Sequence, residues 1–171
     1  MIILGIDPGY AIVGFGVIEY NSNRFKMLEY GAITTEAGVP FNRRLEIIYD
    51  ELTALIEKYR PAAMSVEKVF YNSNAKTVID VSQARGVIML AAQKTRTRVF
   101  EYTPLQVKQS VVGYGRAEKK QVQDMTKRIL SLKEIPKPDD AADALAMAIC
   151  HAHAGSSTLD PIAGMRIRKG I

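Results

Sequence analysis

An apolar run over residues 2–6, interrupted only by Gly5, is followed at once by Asp7-Pro8-Gly9. A short apolar run that stops at Pro and Gly is typical of a buried central strand. We therefore predict a strand whose two faces are both covered, with Asp7 at its end. The Asp itself has two interpretations, because Asp-Pro-Gly also forms ordinary turns.

The rest of the chain alternates between strand and helix patterns. Further strands are predicted over residues 12–20, 24–34, 62–66 and 98–102. Helices are predicted over residues 41–59, 74–93, 104–111, 118–132 and from Lys137-Pro138 to about His153. Tight turns join the first three strands, which predicts an antiparallel meander. The expected fold class is α/β, with a mixed five-stranded sheet flanked by helices.

Two carboxylates are predicted to meet at one edge of this sheet. The helix over residues 41–59 connects the early strands to the strand over residues 62–66, so the crossover rule places that strand parallel to the first. Asp7 and Glu67 each follow the end of one of these strands. Because parallel strands end at the same edge, and open α/β sheets place their sites there, we expect the two side chains to approach each other.

The positive charge of the chain is concentrated in one stretch. Residues 94–128 contain nine basic and three acidic side chains, a balance of +6, whereas the whole chain carries +5 and the remainder therefore about −1. Concentrated positive charge favours polyanions, and nucleic acid first. A basic surface that is merely solvated would show the same charge pattern.

Length and composition indicate one domain with a substantial core, which we place at residues 1–153, followed by a flexible basic tail over residues 154–171. The sequence contains neither an apolar run near the ~20 residues of a membrane helix nor the basic start of a secretory signal. Cys150 is the single cysteine and lies in an apolar run. A cytoplasmic protein without a membrane partner is expected.

Asp143 interrupts residues 141–150, which are otherwise apolar. A carboxylate in such a helix is costly to bury unless a partner compensates it. Asp140 lies three residues earlier and Asp139 four, so either shares its face. Since Asp139 also suits the cap position of the helix, one of the two adjacent acids is expected to be structural.

Convergence of Asp7, Glu67, Asp140 and Asp143 would require compensating charge. Two carboxylates ~4 Å apart repel by roughly 4 kcal/mol at an effective dielectric constant of about 20. Because only oxygen ligands are on offer, Mg²⁺ or Mn²⁺ fits best. A pair of such ions suits the in-line hydrolysis of a phosphodiester.

The assembled motifs resemble the RuvC family of Holliday junction resolvases, within the RNase H-like superfamily. The resemblance rests on ILGIDPGYAIVGFGVIEY (3–20), SVEKVFYNSNA (65–75), QARGV (83–87), FEYTPLQVKQSVVGYGRAEKKQVQ (100–123) and DDAADALAMAICHAH (139–153). It implies an RNase H-like fold and a structure-selective endonuclease that binds two Mg²⁺ ions, with Mn²⁺ as a substitute. The tail after Gly155 matches the family poorly, so the resemblance assigns no role to it.

The resemblance also assigns roles to individual residues. It implies that the catalytic, metal-binding acids are Asp7, Glu67, Asp140 and Asp143. It implies that Phe70 stacks on bases at the opened crossover and that Lys108 and Lys119 lie near the scissile phosphate. The implied partners are four-way junction DNA, a second copy of the chain, and branch-migration proteins of the RuvA and RuvB type. Paired symmetric nicks would leave 5′-phosphate and 3′-hydroxyl ends.

The residues alone leave several interpretations open. The second half of the helix over residues 74–93 is apolar on nearly every side, which fits either a core helix or a subunit interface. An ATP-binding protein of the actin–sugar kinase type also places an Asp and glycines after its first strand. A ribonuclease H with another substrate, or a non-catalytic nucleic-acid-binding module, would fit the charge and the acids as well.

Overall fold

The computed structural model describes residues 1–68 and 77–156. Its strands are β1 (Ile2–Asp7), β2 (Ile12–Asn21), β3 (Arg24–Thr34), β4 (Ala63–Glu67) and β5 (Arg98–Tyr102). Its helices are α1 (Phe41–Tyr59), α2 (Val78–Lys94), α3 (Pro104–Val112), α4 (Lys119–Ile129) and α5 (Asp139–Ser156). No helix among these described residues is long and apolar enough to cross a membrane.

The strands form one sheet in the order β3-β2-β1-β4-β5. β1 and β3 both pair antiparallel with β2, whereas β4 pairs parallel with β1 and with β5. The hydrophobic strand β1 therefore lies at the centre, as its apolar run predicts.

Helices cover both faces of the sheet, because successive side chains of β1 point to opposite sides. Leu4 and Ile6 belong to the core that contains the buried residues of α1 and α2, including Ile48 and Ile88. Ile3 belongs to the opposite core, which is built with residues of α3, α4 and α5. The result is three layers, helix–sheet–helix, with two apolar cores.

α5 lies unusually close to the sheet. Its buried face consists largely of alanines, and the strands beneath it present glycines. A Cβ atom at Gly5 would overlap the backbone carbonyl oxygen of Ala144, and one at Gly14 would overlap that of Asp140. Glycine at these two strand positions is thus a packing requirement, and it fixes where α5 rests on the sheet.

The expected mixed α/β sheet is confirmed, while some boundaries differ. α4 ends at Ile129 instead of reaching residue 132, because Ser131 adopts a left-handed conformation (φ 53°) that a helix cannot continue through. α5 continues to Ser156, past the expected end at His153. The predicted first residues of α2, and residues 157–171 of the predicted tail, lie outside the described residues.

Replacing Gly5 by Ala should destabilise the protein by roughly 3 kcal/mol, because backbone of α5 occupies the space that the new methyl group needs. Urea unfolding followed by circular dichroism measures the loss. Gly155→Ala is the matched control, since a Cβ there meets no atom within 4 Å. Equal stability of the two variants would show that α5 is not held this closely.

Candidate active site

Strand pairing brings Asp7 and Glu67 together. β1 and β4 run parallel with Ile6 opposite Val66, and the two acids are the next residue on each strand. On its other side Asp7 pairs with Gly14 of β2. The crossover argument from sequence is therefore correct, and both carboxylates lie at one edge of the sheet.

The start of α5 lies across the same edge. The backbone of Asp140 packs against Gly14, directly beside Asp7 in the sheet. Asp143, one turn further along α5, lines a surface cavity together with Asp7 and Glu67. Asp140 does not line this cavity, although its charge is close enough to influence the pKa values of Asp7 and Asp143.

Two lysines complete the polar lining of this cavity, which we call the acidic cavity. Lys108 comes from α3 and Lys119 from the first residue of α4. The remaining wall is largely apolar and consists of Pro104, Val107, Val122, Ala146 and Met147. The cavity thus combines three carboxylates with two lysine ammonium groups.

Side-chain caps fix the helices that carry the lysines. At the start of α3, the Thr103 hydroxyl accepts a hydrogen bond from the Gln106 backbone N–H, and the Gln106 side chain accepts one from the Thr103 N–H. Glu118 and Gln121 form the same reciprocal arrangement at the start of α4. Such capping boxes define where a helix begins, and the one at Glu118 therefore fixes Lys119 as the first residue of α4.

Burial and mutual repulsion raise the pKa values of three of the clustered acids. Burial, followed by the charges of Glu67, Asp143 and Asp140, raises the pKa of Asp7 from 3.8 to about 7. Burial and the Asp143 charge raise the pKa of Glu67, and burial also raises the pKa of Asp143 despite the opposing effect of Lys119. The site therefore carries more negative charge than its own cations compensate.

Lys119 is the cation in direct contact with these acids. Its Nζ atom lies 2.8 Å from Asp143 Oδ2, and this hydrogen bond raises the pKa of the lysine. Within residues 1–68 and 77–156, no three Asp, Glu, His or Cys side chains are arranged to hold a metal ion. The donor set nevertheless suits a hard divalent cation, because it offers carboxylate oxygens only and these carboxylates lie close enough to repel one another.

The side chains of five residues selected from sequence are thus found around one cavity, and Asp140 lies next to it. The expectation that Asp139 caps α5 is wrong: Asp139 is the first residue of the helix, and its Oδ1 accepts a hydrogen bond from Lys137 Nζ at 2.7 Å. Phe70 lies outside the described residues, so its stacking role stays a prediction.

Sequence reasoning missed the surroundings of Lys119. Asp139 Oδ2 lies 3.9 Å from Lys119 Nζ, and the buried Gln123 follows Lys119 by one helical turn. The four-residue spacing of Lys119 and Gln123 is visible in the sequence. Nothing in the sequence, however, indicates that this face of α4 meets the start of α5.

The sheet order β3-β2-β1-β4-β5 and the helical crossover that leads to the parallel strand β4 form an RNase H-like fold. The model of the family "Crossover junction endodeoxyribonuclease RuvC" matches residues 3–151. The RuvC of Ruminiclostridium cellulolyticum is 61% identical over 153 residues, which are 90% of this chain and 92% of that protein. The RuvC of Clostridioides difficile is 56% identical over 166 residues, covering 96% and 98% of the two chains.

A solved structure agrees with the sequence comparisons. The Thermus thermophilus RuvC in complex with a Holliday junction substrate superposes with a TM-score of 0.86 at 34% identity, over 91% of this chain and 94% of that one. The chain belongs to the RuvC family of crossover junction endodeoxyribonucleases. It is therefore a hydrolase of a metal-dependent nuclease family.

The raised pKa of Asp7 predicts that the metal-free protein loses stability as the pH rises. The folded state keeps the Asp7 proton up to about pH 7, whereas the unfolded chain releases it near 3.8, so the free energy of unfolding falls between these values. Asp7→Asn should remove most of this fall and stabilise the protein at pH 8 by roughly 2 kcal/mol.

Urea unfolding at pH 5 and pH 8 in EDTA measures the effect. Asp124→Asn is the control, since Asp124 is paired with Arg128 Nε at 2.9 Å on the exposed side of α4. An Asp7→Asn variant that is no more stable than wild type at pH 8 would show that ionisation of Asp7 does not destabilise the folded protein.

Proposed function

We propose that this protein resolves four-way DNA junctions by paired, symmetric hydrolysis of two strands, leaving 5′-phosphate and 3′-hydroxyl ends. The observation that carries the proposal is the acidic cavity, in which acids from β1, β4 and α5 face two lysines. Membership of the RuvC family, and the junction bound by the T. thermophilus relative, support the choice of substrate. A reducing cytoplasm fits the buried, unpaired Cys150.

The proposed catalytic and metal-binding residues are Asp7, Glu67, Asp140 and Asp143. Two Mg²⁺ ions held by these carboxylates, or Mn²⁺ in their place, would supply the Lewis acid that activates water and stabilises the departing 3′ oxygen. The raised pKa values support this assignment, because protonated or crowded carboxylates gain most from a divalent cation. A cation that used Asp143 Oδ2 would take the place of the Lys119 ammonium, which contacts this oxygen at 2.8 Å.

The lysines of the acidic cavity are proposed to bind the DNA backbone at the cleaved phosphate. Lys119 is more than half exposed, and Lys108 lines the same cavity from α3, so both can reach a phosphate that lies across its mouth. Lys120, Lys127 and Arg128 extend the positive charge along α4. Phosphate contacts of this kind position the duplex without reading its sequence. Phe70 is proposed to stack on bases near the crossover.

A second copy of the chain is proposed to dock on α2. Ile79 is 66% exposed and Leu90 is 52% exposed, and helical spacing places them on one stripe of α2. Large apolar side chains in one exposed stripe are typical of an interface. A two-fold dimer would present two equivalent sites to the two equivalent strands of a junction. Branch-migration proteins of the RuvA and RuvB type are proposed partners by family membership alone.

Asp140→Asn should abolish cleavage of a labelled four-way junction in Mg²⁺, with a loss of roughly a thousandfold or more, because it removes a metal ligand. Junction binding in a gel-shift assay and the circular dichroism spectrum should be unchanged. Asp139→Asn should lose about tenfold or less, since the half-exposed Asp139 carboxylate is paired with Lys137 Nζ and is not one of the proposed metal ligands. Wild type should be inactive in excess EDTA.

Three results would contradict these assignments. Full cleavage in EDTA would overturn the metal mechanism. An inactive Asp139→Asn variant beside an active Asp140→Asn variant would shift the catalytic register of α5 by one residue. Cleavage of an RNA–DNA hybrid, with no cleavage of the junction, would identify a ribonuclease H activity instead.

Leu90→Glu should convert the protein from dimer to monomer without unfolding it, because this side chain is half exposed within its own chain. Sedimentation velocity measures the mass, and circular dichroism measures the fold. Ala54→Glu, at an exposed position of α1, adds the same charge elsewhere and should leave the mass unchanged. A folded, dimeric Leu90→Glu variant would place the interface away from α2.

A further inference from the structure

Four charged side chains of alternating sign lie where the start of α4 meets the start of α5. Lys137 Nζ lies 2.7 Å from Asp139 Oδ1, Asp139 Oδ2 lies 3.9 Å from Lys119 Nζ, and Lys119 Nζ lies 2.8 Å from Asp143 Oδ2. The Lys119 ammonium is thus placed between two carboxylates. It contacts Asp143 and is within a short side-chain movement of Asp139.

These two carboxylates differ in what surrounds them. Asp143 lines the acidic cavity and faces Asp7 and Glu67, whereas Asp139 does not line it. The Asp139 side chain is 47% exposed, and its Oδ1 atom is paired with Lys137 Nζ at 2.7 Å. Asp139 is therefore a solvent-accessible carboxylate outside the lining of the cavity, although its charge still reaches Asp143.

A buried amide lies on α4 one helical turn after Lys119. Gln123 is 8% exposed, and its Nε2 atom has no hydrogen-bond partner among the described residues. It belongs to the same face of α4 as Lys119, one turn further on. Because Lys119 Nζ lies 3.9 Å from Asp139 Oδ2, the face of α4 that carries Lys119 and Gln123 is directed at the Asp139 carboxylate.

We propose that Asp139 is a positioning residue, the anchor that receives the Lys119 ammonium when Asp143 binds a divalent cation. The inference rests on the proposed metal site. A cation on Asp143 repels the ammonium, and Asp139 Oδ2 is the neighbouring carboxylate oxygen to which it can move. Lys119 then stays at the mouth of the acidic cavity, where a DNA phosphate enters, instead of leaving for solvent.

The test measures the affinity of the full-length, DNA-free protein for Mn²⁺ alone, by electron paramagnetic resonance of the unbound ion. Four proteins complete a double-mutant cycle: wild type, Asp139→Asn, Lys119→Gln and the variant with both changes. Asp139→Asn should weaken binding by roughly fivefold, because the ammonium then has only Asp143 to contact and competes for it. Lys119→Gln should strengthen binding, since it removes the competitor.

The cycle separates an action through Lys119 from a general loss of negative charge. In the Lys119→Gln background, Asp139→Asn should change the affinity for Mn²⁺ hardly at all, and Asp139→Glu should restore wild-type affinity when Lys119 is present. An equal loss in both backgrounds would overturn the proposal while leaving the metal site intact. Wild type that binds no Mn²⁺ would overturn the proposed metal site, and the positioning role with it.

Discussion

The close contact between α5 and the centre of the sheet is the constraint on which the rest of the structure depends. Glycines in β1 and β2 let the backbone of α5 approach until carbonyl oxygens of the helix occupy the space of a Cβ atom. A contact made by backbone cannot be relaxed by rotating a side chain, so the helix has one position along the strands. That position brings Asp143 to the ends of β1 and β4 and Asp140 beside β2.

The same contact explains why the site is electrostatically unfavourable without a ligand. The rigid frame holds several carboxylates in partly buried places, where burial first, and then the charges of neighbouring acids, raise their pKa values. Lys119 offsets part of this charge from the first residue of α4, where the helix dipole disfavours a cation. A cation in this position departs from the usual charge preference of a helix N-terminus, and such departures are common at functional sites.

Sequence reasoning succeeded where a periodic pattern or a topological rule decided the outcome. The apolar run of β1, the alternation of elements and the handedness of the crossover were enough to place Asp7 beside Glu67. The approach of α5 to that edge follows only from the cost of burying Asp143. The contacts of Asp139 could not be predicted, because they depend on the orientation of α4 relative to α5. That orientation is set by the packing of Val122 and its neighbours against α5, a long-range property.

The complete set of acids joins the first strand to the last described helix, and this has a consequence for synthesis on the ribosome. β1, with Asp7, leaves the ribosome long before α5 does. Until α5 has been made, one face of the sheet lacks the helix that covers most of it. Such uncovered apolar surface is prone to aggregate or to bind chaperones. Until α5 emerges, the nascent chain lacks two of its four candidate metal ligands. The same helix therefore completes both the covering of the sheet and the candidate metal site.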